Sequence, residues 1–343
     1  MITSSKFLSL VRRSLNSSGL HHAQWFITRK CNYRCRGCNV WSDQDADELS
    51  TEEVKRGLDI LRDLGVLEIV FSGGNPLLRD DIGEILDYSS RYFITTVYDN
   101  GSIAVNKVDY LRNVDFVAIS LDTLDEKKND YLKGISGAWR KAMGAIETLK
   151  REGIHVGVSP TISQMNLYEI IDFTKYFIKR GIPVWYCLYA YDYQPSKGAF
   201  SIGKRNDEYE ITDGKTLAEV CDTLMEMKKK YRHIYITERT LKAIKKLALT
   251  GERTWRCGAL KSFLVIDHMG RVSGCHCREP ITLIHDLPKM WTSPLIEKLR
   301  NEYMRCTSCI YLCYIFYSVH AGFTGLLDVI FDQRGNIKSY VNR

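Results

Sequence analysis

The sequence predicts an α/β fold in which a run of parallel βα units is followed by a smaller cysteine-bearing module. Three observations carry this. Six strand-like segments alternate with helical patterns from Ala23 to about Pro195. The cysteines gather in two places, directly after the first strand and beyond Trp255. Of the 343 residues, 45% are hydrophobic and 26% charged, which excludes disorder, collagen and coiled coil as the main state. An open or incomplete barrel accommodates six βα units better than a short flavodoxin-like sheet, although periodicity alone does not separate them. In either, ligands sit at the carboxyl ends of the strands.

The elements follow in order. The first 30 residues hold five Lys or Arg and no acid, and Phe7, Leu8, Leu10, Val11 and Leu15 form a partial helical stripe. Residues 1–22 are read as a basic N-terminal helix packed on the body; the same stripe would suit peripheral contact with an anionic membrane. Strands are expected at 24–28, 67–71, 92–97, 116–120, 155–160 and 184–188. Helices are expected at 51–63, opened by Ser50 or Thr51 with Glu53 in the first turn, and at 81–88, 138–151 and 167–179. The barrel region is placed at 23–215 and a helical linker at 216–254, comprising 216–230 and 238–250. The basic run 228–232 reads as a solvated helix flank. Residues 255–343 form the last module, with hairpin segments 263–266 and 271–273 around Asp267-His268-Met269-Gly270. Its apolar content is small for an independent core, so metal is expected to organise it.

Composition bounds the function. The 48 Lys and Arg against 41 Asp and Glu give +7, which permits an anionic partner without requiring one. No finger spacing or aromatic RNA motif is present, so no nucleic-acid partner is expected. No run of 18 apolar residues and no secretory signal is visible, and the expected location is cytoplasmic. In a reducing compartment, 11 cysteines in clusters mean metal or thiol chemistry.

Cys31, Cys35 and Cys38 stand as CxxxCxxC at the end of the first strand. Such a loop can aim three thiolates at one face of a [4Fe–4S] cube and leave one iron open. Zinc is the rival, but a closed site needs a fourth ligand nearby, and His21 and His22 precede the strand. With this motif directly after a strand and before a βα series, the chain resembles the radical S-adenosylmethionine (SAM) superfamily. The resemblance implies a partial (β/α)6 TIM-like barrel. It also implies that the open iron takes the methionyl amino and carboxylate groups of SAM. Reductive cleavage then gives a 5′-deoxyadenosyl radical that abstracts hydrogen from the substrate, with the electron supplied by a donor such as ferredoxin or flavodoxin.

The resemblance extends to about Gly198. Ser72-Gly73-Gly74-Asn75-Pro76 falls where the family carries a Gly-Gly-Glu-Pro motif that grips the methionyl amino group. Glycine permits close backbone approach, whereas Asn75 lacks the charge of the usual acid. Asn100-Gly101 resembles a further family loop. Ser120, Asp122 and Thr123 follow the fourth strand, and Asp122 suits the two ribose hydroxyls; capping of a helix at Glu126 is the alternative. Val156, Gly157 and Val158 are expected at the adenine wall or in the core. The position before the third cysteine, aromatic in the family, is Gly37 here, with Tyr33 close in sequence.

Downstream, Cys257 and Cys275 bracket 17 residues, with Gly270 five positions before Cys275; Cys306, Cys309 and Cys313 follow. This resembles the Twitch or SPASM extension of radical SAM enzymes and implies one auxiliary [4Fe–4S] cluster, with zinc in the same thiols as the rival. Its expected ligands are Cys257, Cys275 and two of Cys306, Cys309 and Cys313. Cys277 is a spare, and Cys187 and Cys221 read as small buried residues. Tyr189, Tyr191, Asp192 and Tyr193 are candidates to line a hydrogen-abstraction pocket. The stretch ahead of the first strand is too short for the winged-helix domain of many peptide-modifying relatives. The leading expectation is therefore a small metabolite or lipid-like substrate, with auxiliary-cluster-assisted oxidation or bond formation. A peptide-modifying maturase is the alternative, and a non-enzymatic metal-stabilised binding protein is the reading from a different class.

Overall fold

The computed structural model describes residues 19–42, 47–191, 203–307 and 310–321, and the single positions 325, 328, 329 and 332. Most of the expected N-terminal helix, together with Asp192, Tyr193 and Cys309, lies outside the described residues.

Strands β1 (His22–Thr28), β2 (Glu68–Gly73), β3 (Ile94–Asp99), β4 (Phe116–Ser120) and β5 (Val156–Ser159) pair in parallel in sequence order. Both faces are covered: Trp25, Ile69, Phe71, Val97, Val117 and Ile119 are buried on one, and Phe26, Val70 and Ala118 on the other. The expected sixth strand is present but broken. Val158 bridges Val184, and β6 (Thr161–Ile162) pairs with β7 (Cys187–Leu188) as a separate two-stranded piece. The break falls at Pro160, which has no N–H for a ladder and serves only as an acceptor, from the Cys187 amide at 2.9 Å.

Helices α1 (Thr51–Asp63), α2 (Ile82–Tyr92), α3 (Glu126–Lys133), α4 (Ala138–Arg151), α5 (Ile170–Ile178), α6 (Gly214–Lys228) and α7 (Glu238–Thr250) accompany the strands. Shorter helical turns are left unlabelled. At α1, Ser50 caps the Glu53 amide while the Glu53 side chain takes the Ser50 amide, the reciprocal box expected from the sequence. Helix α3 starts at Glu126, where the sequence offered a capped helix as an alternative, but its cap is Asp125. Its sequence EKKNDYLK offers almost no apolar stripe, and it is held by its ends: Asp125 accepts from the Lys128 amide at 2.9 Å, and Gly134 closes it at φ 66°.

The cysteine-bearing module was expected to be organised by metal, its apolar content being small for an independent core. Its first strand, β8 (Phe263–Ile266), lies parallel to β1, on the side away from β2. Strands β9 (Arg271–Ser273) and β10 (Thr282–Leu283) continue the sheet in antiparallel fashion. Phe263, Leu264, Val265 and Ile266 are fully buried with Trp25, whose indole N–H donates to the Asp267 carbonyl at 3.1 Å. The module thus draws on the barrel's core. Helices α8 (Pro294–Met304) and α9 (Leu312–Val319) follow. Among the described residues no helix is long and apolar enough to cross a membrane.

Candidate SAM and cluster site

The chain leaves the carboxyl end of β1 into the cysteine loop, and Cys31, Cys35 and Cys38 line one cavity of about 350 Å³. The loop is pinned by its backbone. Arg36 N–H donates to the Leu132 carbonyl at 3.1 Å, the Arg34 guanidinium to the carbonyls of Cys31 and Tyr33 at 3.0 Å each, and the Trp41 indole to the Cys35 carbonyl at 3.3 Å. Burial pushes the thiols up, Cys35 to about 12 and Cys38 to about 11, and each neighbouring thiol raises them further. Three soft donors that resist ionisation alone and stand within one another's field suit a polycationic iron cluster that takes them as thiolates.

The glycine loop is stitched beneath them. Gly74 N–H donates to the Thr28 carbonyl at 2.8 Å, and Asn75 N–H to the Lys30 carbonyl at 2.7 Å. A Cβ on Gly74 would stand 2.1 Å from the Lys30 carbonyl oxygen, and one on Gly73, at φ +119°, 2.3 Å from the Thr28 oxygen. These glycines therefore let the loop reach the cysteine loop's own backbone as well as a ligand. Gly74→Ala should push the two loops apart and cut SAM affinity at least tenfold, read by calorimetry; unaltered affinity would contradict this close packing.

The remaining expected residues divide. Ser120 lines the cavity and Val158 is fully buried in the core. Asn75 is fully buried: its side-chain oxygen accepts from the Leu77 amide at 3.0 Å, and its NH2 donates to Asn100 at 2.8 Å. Pro76 opens the following turn. Asp122 is engaged by Lys133 Nζ at 2.6 Å and by the Thr161 amide at 2.9 Å, and Lys133 also donates to Ser120 Oγ at 2.7 Å. Thr123 turns to Glu169 at 2.6 Å. Tyr189 lies in the cavity wall with its ring over Gly37, where a Cβ would come within 2.8 Å of the ring. Gly37 thus leaves room for an aromatic brought from the sixth strand. Tyr191 packs behind Tyr189, with ring centroids 6.2 Å apart, and donates to Glu210 at 3.1 Å.

Two charged groups escaped the sequence reading. Lys133, at the end of α3, is buried and places its charge near Cys35. Asp99, in the cavity wall, accepts from the Gly101 amide at 2.6 Å, and burial raises its carboxyl to about 6. A raised folded pKa means the native state holds the proton more tightly than the unfolded chain. That stabilisation is complete below about pH 4 and is lost as pH rises through about 6, a change of about 3 kcal/mol. Asp99→Asn should flatten this slope in urea melts at successive pH values; an unchanged slope would refute the assignment.

In the module, burial raises the Cys257 thiol to about 12, and the Cys275 and Cys306 thiols push the same way. Cys277 Sγ lies 3.7 Å from the His276 ring nitrogen. Cys313 does not join them. It sits on the first turn of α9, pointing into the barrel, with Cys187 as its neighbouring thiol and Gln24 Oε1 at 4.0 Å. Among the described residues no three Cys, His, Asp or Glu side chains are drawn together as around a single ion.

Comparison with known proteins accords with this geometry. Residues 25–177 match the family model of the Radical SAM superfamily. The AdoMet-dependent heme synthase of Nitratidesulfovibrio vulgaris is 28% identical over 168 residues, covering 47% of this chain and 46% of that protein. The Fe-coproporphyrin III synthase of Methanosarcina barkeri is 33% identical over 152 residues, covering 43% and 38%. The antilisterial bacteriocin subtilosin biosynthesis protein AlbA of Bacillus subtilis is 28% identical over 176 residues, covering 48% and 39%. The match spans less than half the length of these curated relatives. Among solved structures, Streptococcus suis SuiB bound to S-adenosylmethionine superposes with a TM-score of 0.62 at 18% identity, over 86% of this chain and 71% of that one. The anSMEcpe structure with bound AdoMet and Cp18Cys peptide gives 0.62 at 13%, over 94% and 99%. These structural likenesses establish the fold. The cysteine loop, the glycine loop beneath it and the parallel strands that carry both lie within or beside the segment 25–177 that matches the Radical SAM superfamily, and the additional C-terminal cysteines suggest a SPASM/Twitch-like auxiliary region.

Proposed function

We propose that the chain is a peptide-modifying radical SAM enzyme. The carrying observation is that three thiols and the glycine loop line one cavity at the carboxyl ends of the barrel strands. When bound on Cys31, Cys35 and Cys38, a [4Fe–4S] cluster supplies the electron that cleaves SAM to methionine and a 5′-deoxyadenosyl radical. The chain's own residues do the rest. Lys133, fixed by Asp122 and Ser120, sets a positive charge behind Cys35, and Tyr189 gives the cavity a flat aromatic wall. Cys257, Cys275 and Cys306, with Cys309 as the fourth thiol, would hold one auxiliary [4Fe–4S] cluster, which would supply a route for electron transfer. A ferredoxin or flavodoxin provides the reductant.

The peptide reading replaces the metabolite as the leading substrate because of the company the chain keeps. SuiB is described bound to the precursor peptide SuiA and anSMEcpe with peptides, and AlbA is named for bacteriocin biosynthesis. A small apolar metabolite is the second reading, favoured by a chamber of about 300 Å³ behind the site, walled mainly by Leu67, Ile94, Trp185, Leu312 and Phe316. The test is SAM cleavage by anaerobically reconstituted protein, alone and with short peptides encoded beside its gene. A peptide that accelerates 5′-deoxyadenosine release and changes mass supports the proposal. Acceleration by an apolar metabolite and by no peptide overturns it.

A further inference from the structure

We propose that Cys187 and Cys313 form a thiol pair that donates a hydrogen atom to a carbon radical generated in the cavity, an inference that rests on the radical chemistry proposed above. The two residues come from opposite ends of the fold. Cys187 is on β7, the last barrel strand, and Cys313 is on the first turn of α9, which packs against it. Both line the cavity that contains Cys31, Cys35 and Cys38, and both line the apolar chamber behind it. They therefore stand in the wall between the two spaces.

Their surroundings keep the S–H bonds intact. Cys187 Sγ is 3.7 Å from the Ser159 hydroxyl and 3.9 Å from the Tyr98 hydroxyl, and Cys313 Sγ points to the Gln24 amide oxygen at 4.0 Å. All three partners are neutral. The Lys133 charge that reaches Cys187 is opposed by Asp122. Burial raises both thiols, Cys313 to about 12. A thiol held in this way is a poor nucleophile, but its weak S–H bond still yields a hydrogen atom to carbon.

The step balances with two thiols. A carbon radical takes a hydrogen atom from one S–H, forming a C–H bond and leaving a sulfur radical. That sulfur bonds to the second, which releases its hydrogen as a proton, and the surplus electron passes to an oxidised iron–sulfur cluster. One radical and two thiols thus become one C–H bond, one disulfide, one proton and one electron. An external dithiol then reduces the disulfide.

The test has two arms. In the first, full-length protein is oxidised with diamide, alkylated, digested and mapped by mass spectrometry, and a Cys187–Cys313 disulfide is expected. In the second, reconstituted protein in D2O receives SAM and dithionite without substrate, and deuterium in 5′-deoxyadenosine is measured per methionine released. Exchangeable thiols should label the wild-type product, and the Cys187→Ser/Cys313→Ser variant should lose that label several-fold while methionine is still released. Serine preserves size, and circular dichroism confirms folding; if the double variant fails to fold, each single variant is read in its place. Either an absent disulfide or an unchanged deuterium fraction overturns the proposal. Wild-type protein that releases no methionine would overturn the proposed function instead, and the disulfide map would then decide whether the thiols pair.

Discussion

Replacing Cys31, Cys35 and Cys38 together with alanine is expected to abolish 5′-deoxyadenosine formation from SAM and dithionite. The three side chains are the soft donors of the β1 loop, whereas the other thiols that line the cavity, Cys187 and Cys313, come from β7 and α9. The substitution should spare the fold. The loop is held by the Arg36 amide, the Arg34 guanidinium and the Trp41 indole acting on backbone carbonyls, none of which needs a thiol. Loss of activity with an intact circular dichroism spectrum is thus the expected pair of results, measured by mass spectrometry under anaerobic conditions. Production at the wild-type rate would remove these residues from the chemistry.

Lys133→Met is expected to cost about 3–5 kcal/mol of stability, because it leaves the buried Asp122 carboxylate without its cation. Lys133 is 6% exposed and Asp122 8%, and their 2.6 Å pair is reinforced by Ser120 and the Thr161 amide. Burial alone would lower the lysine's pKa, but Asp122 and the Cys35 thiol more than offset it, so the charge is kept. The double variant Lys133→Met/Asp122→Asn removes both charges and should recover most of the loss, since neutral groups of similar shape leave no bare charge behind. Urea unfolding of the three proteins measures this. A single variant within about 1 kcal/mol of wild type would show that the pair is solvated and does not fix the site.

The barrel was legible where local signals agree with tertiary structure. Phe116–Ser120 and Thr51–Asp63 have the expected bounds because an apolar run and a capped amphipathic stripe are both read locally. Helix α3 was visible only as a start at Glu126, because its stability lies in Asp125, Gly134 and the buried contacts of Lys133, with little periodicity. The module's attachment was also hidden. Nothing within 263–266 marks its partner as β1, about 240 residues away, since parallel pairing carries no turn signal. At the site, the three cysteines and two glycines could be read from spacing. The placement of Tyr189 over Gly37, of Asp99 in the cavity wall and of Cys313 beside Cys187 could not, because each depends on which way a distant element turns. Cys313 shows this most clearly. Its spacing from Cys309 invites a ligand role, whereas the start of α9 directs it into the barrel.

The most direct test of two clusters on one chain is iron and sulfide analysis with Mössbauer spectroscopy on anaerobically reconstituted protein, wild type beside the variant lacking Cys31, Cys35 and Cys38. About eight irons in the wild type should fall to about four in the variant, all in one [4Fe–4S] site carried by the module. A variant that holds zinc or no metal, or a wild type with only about four irons, would contradict the account.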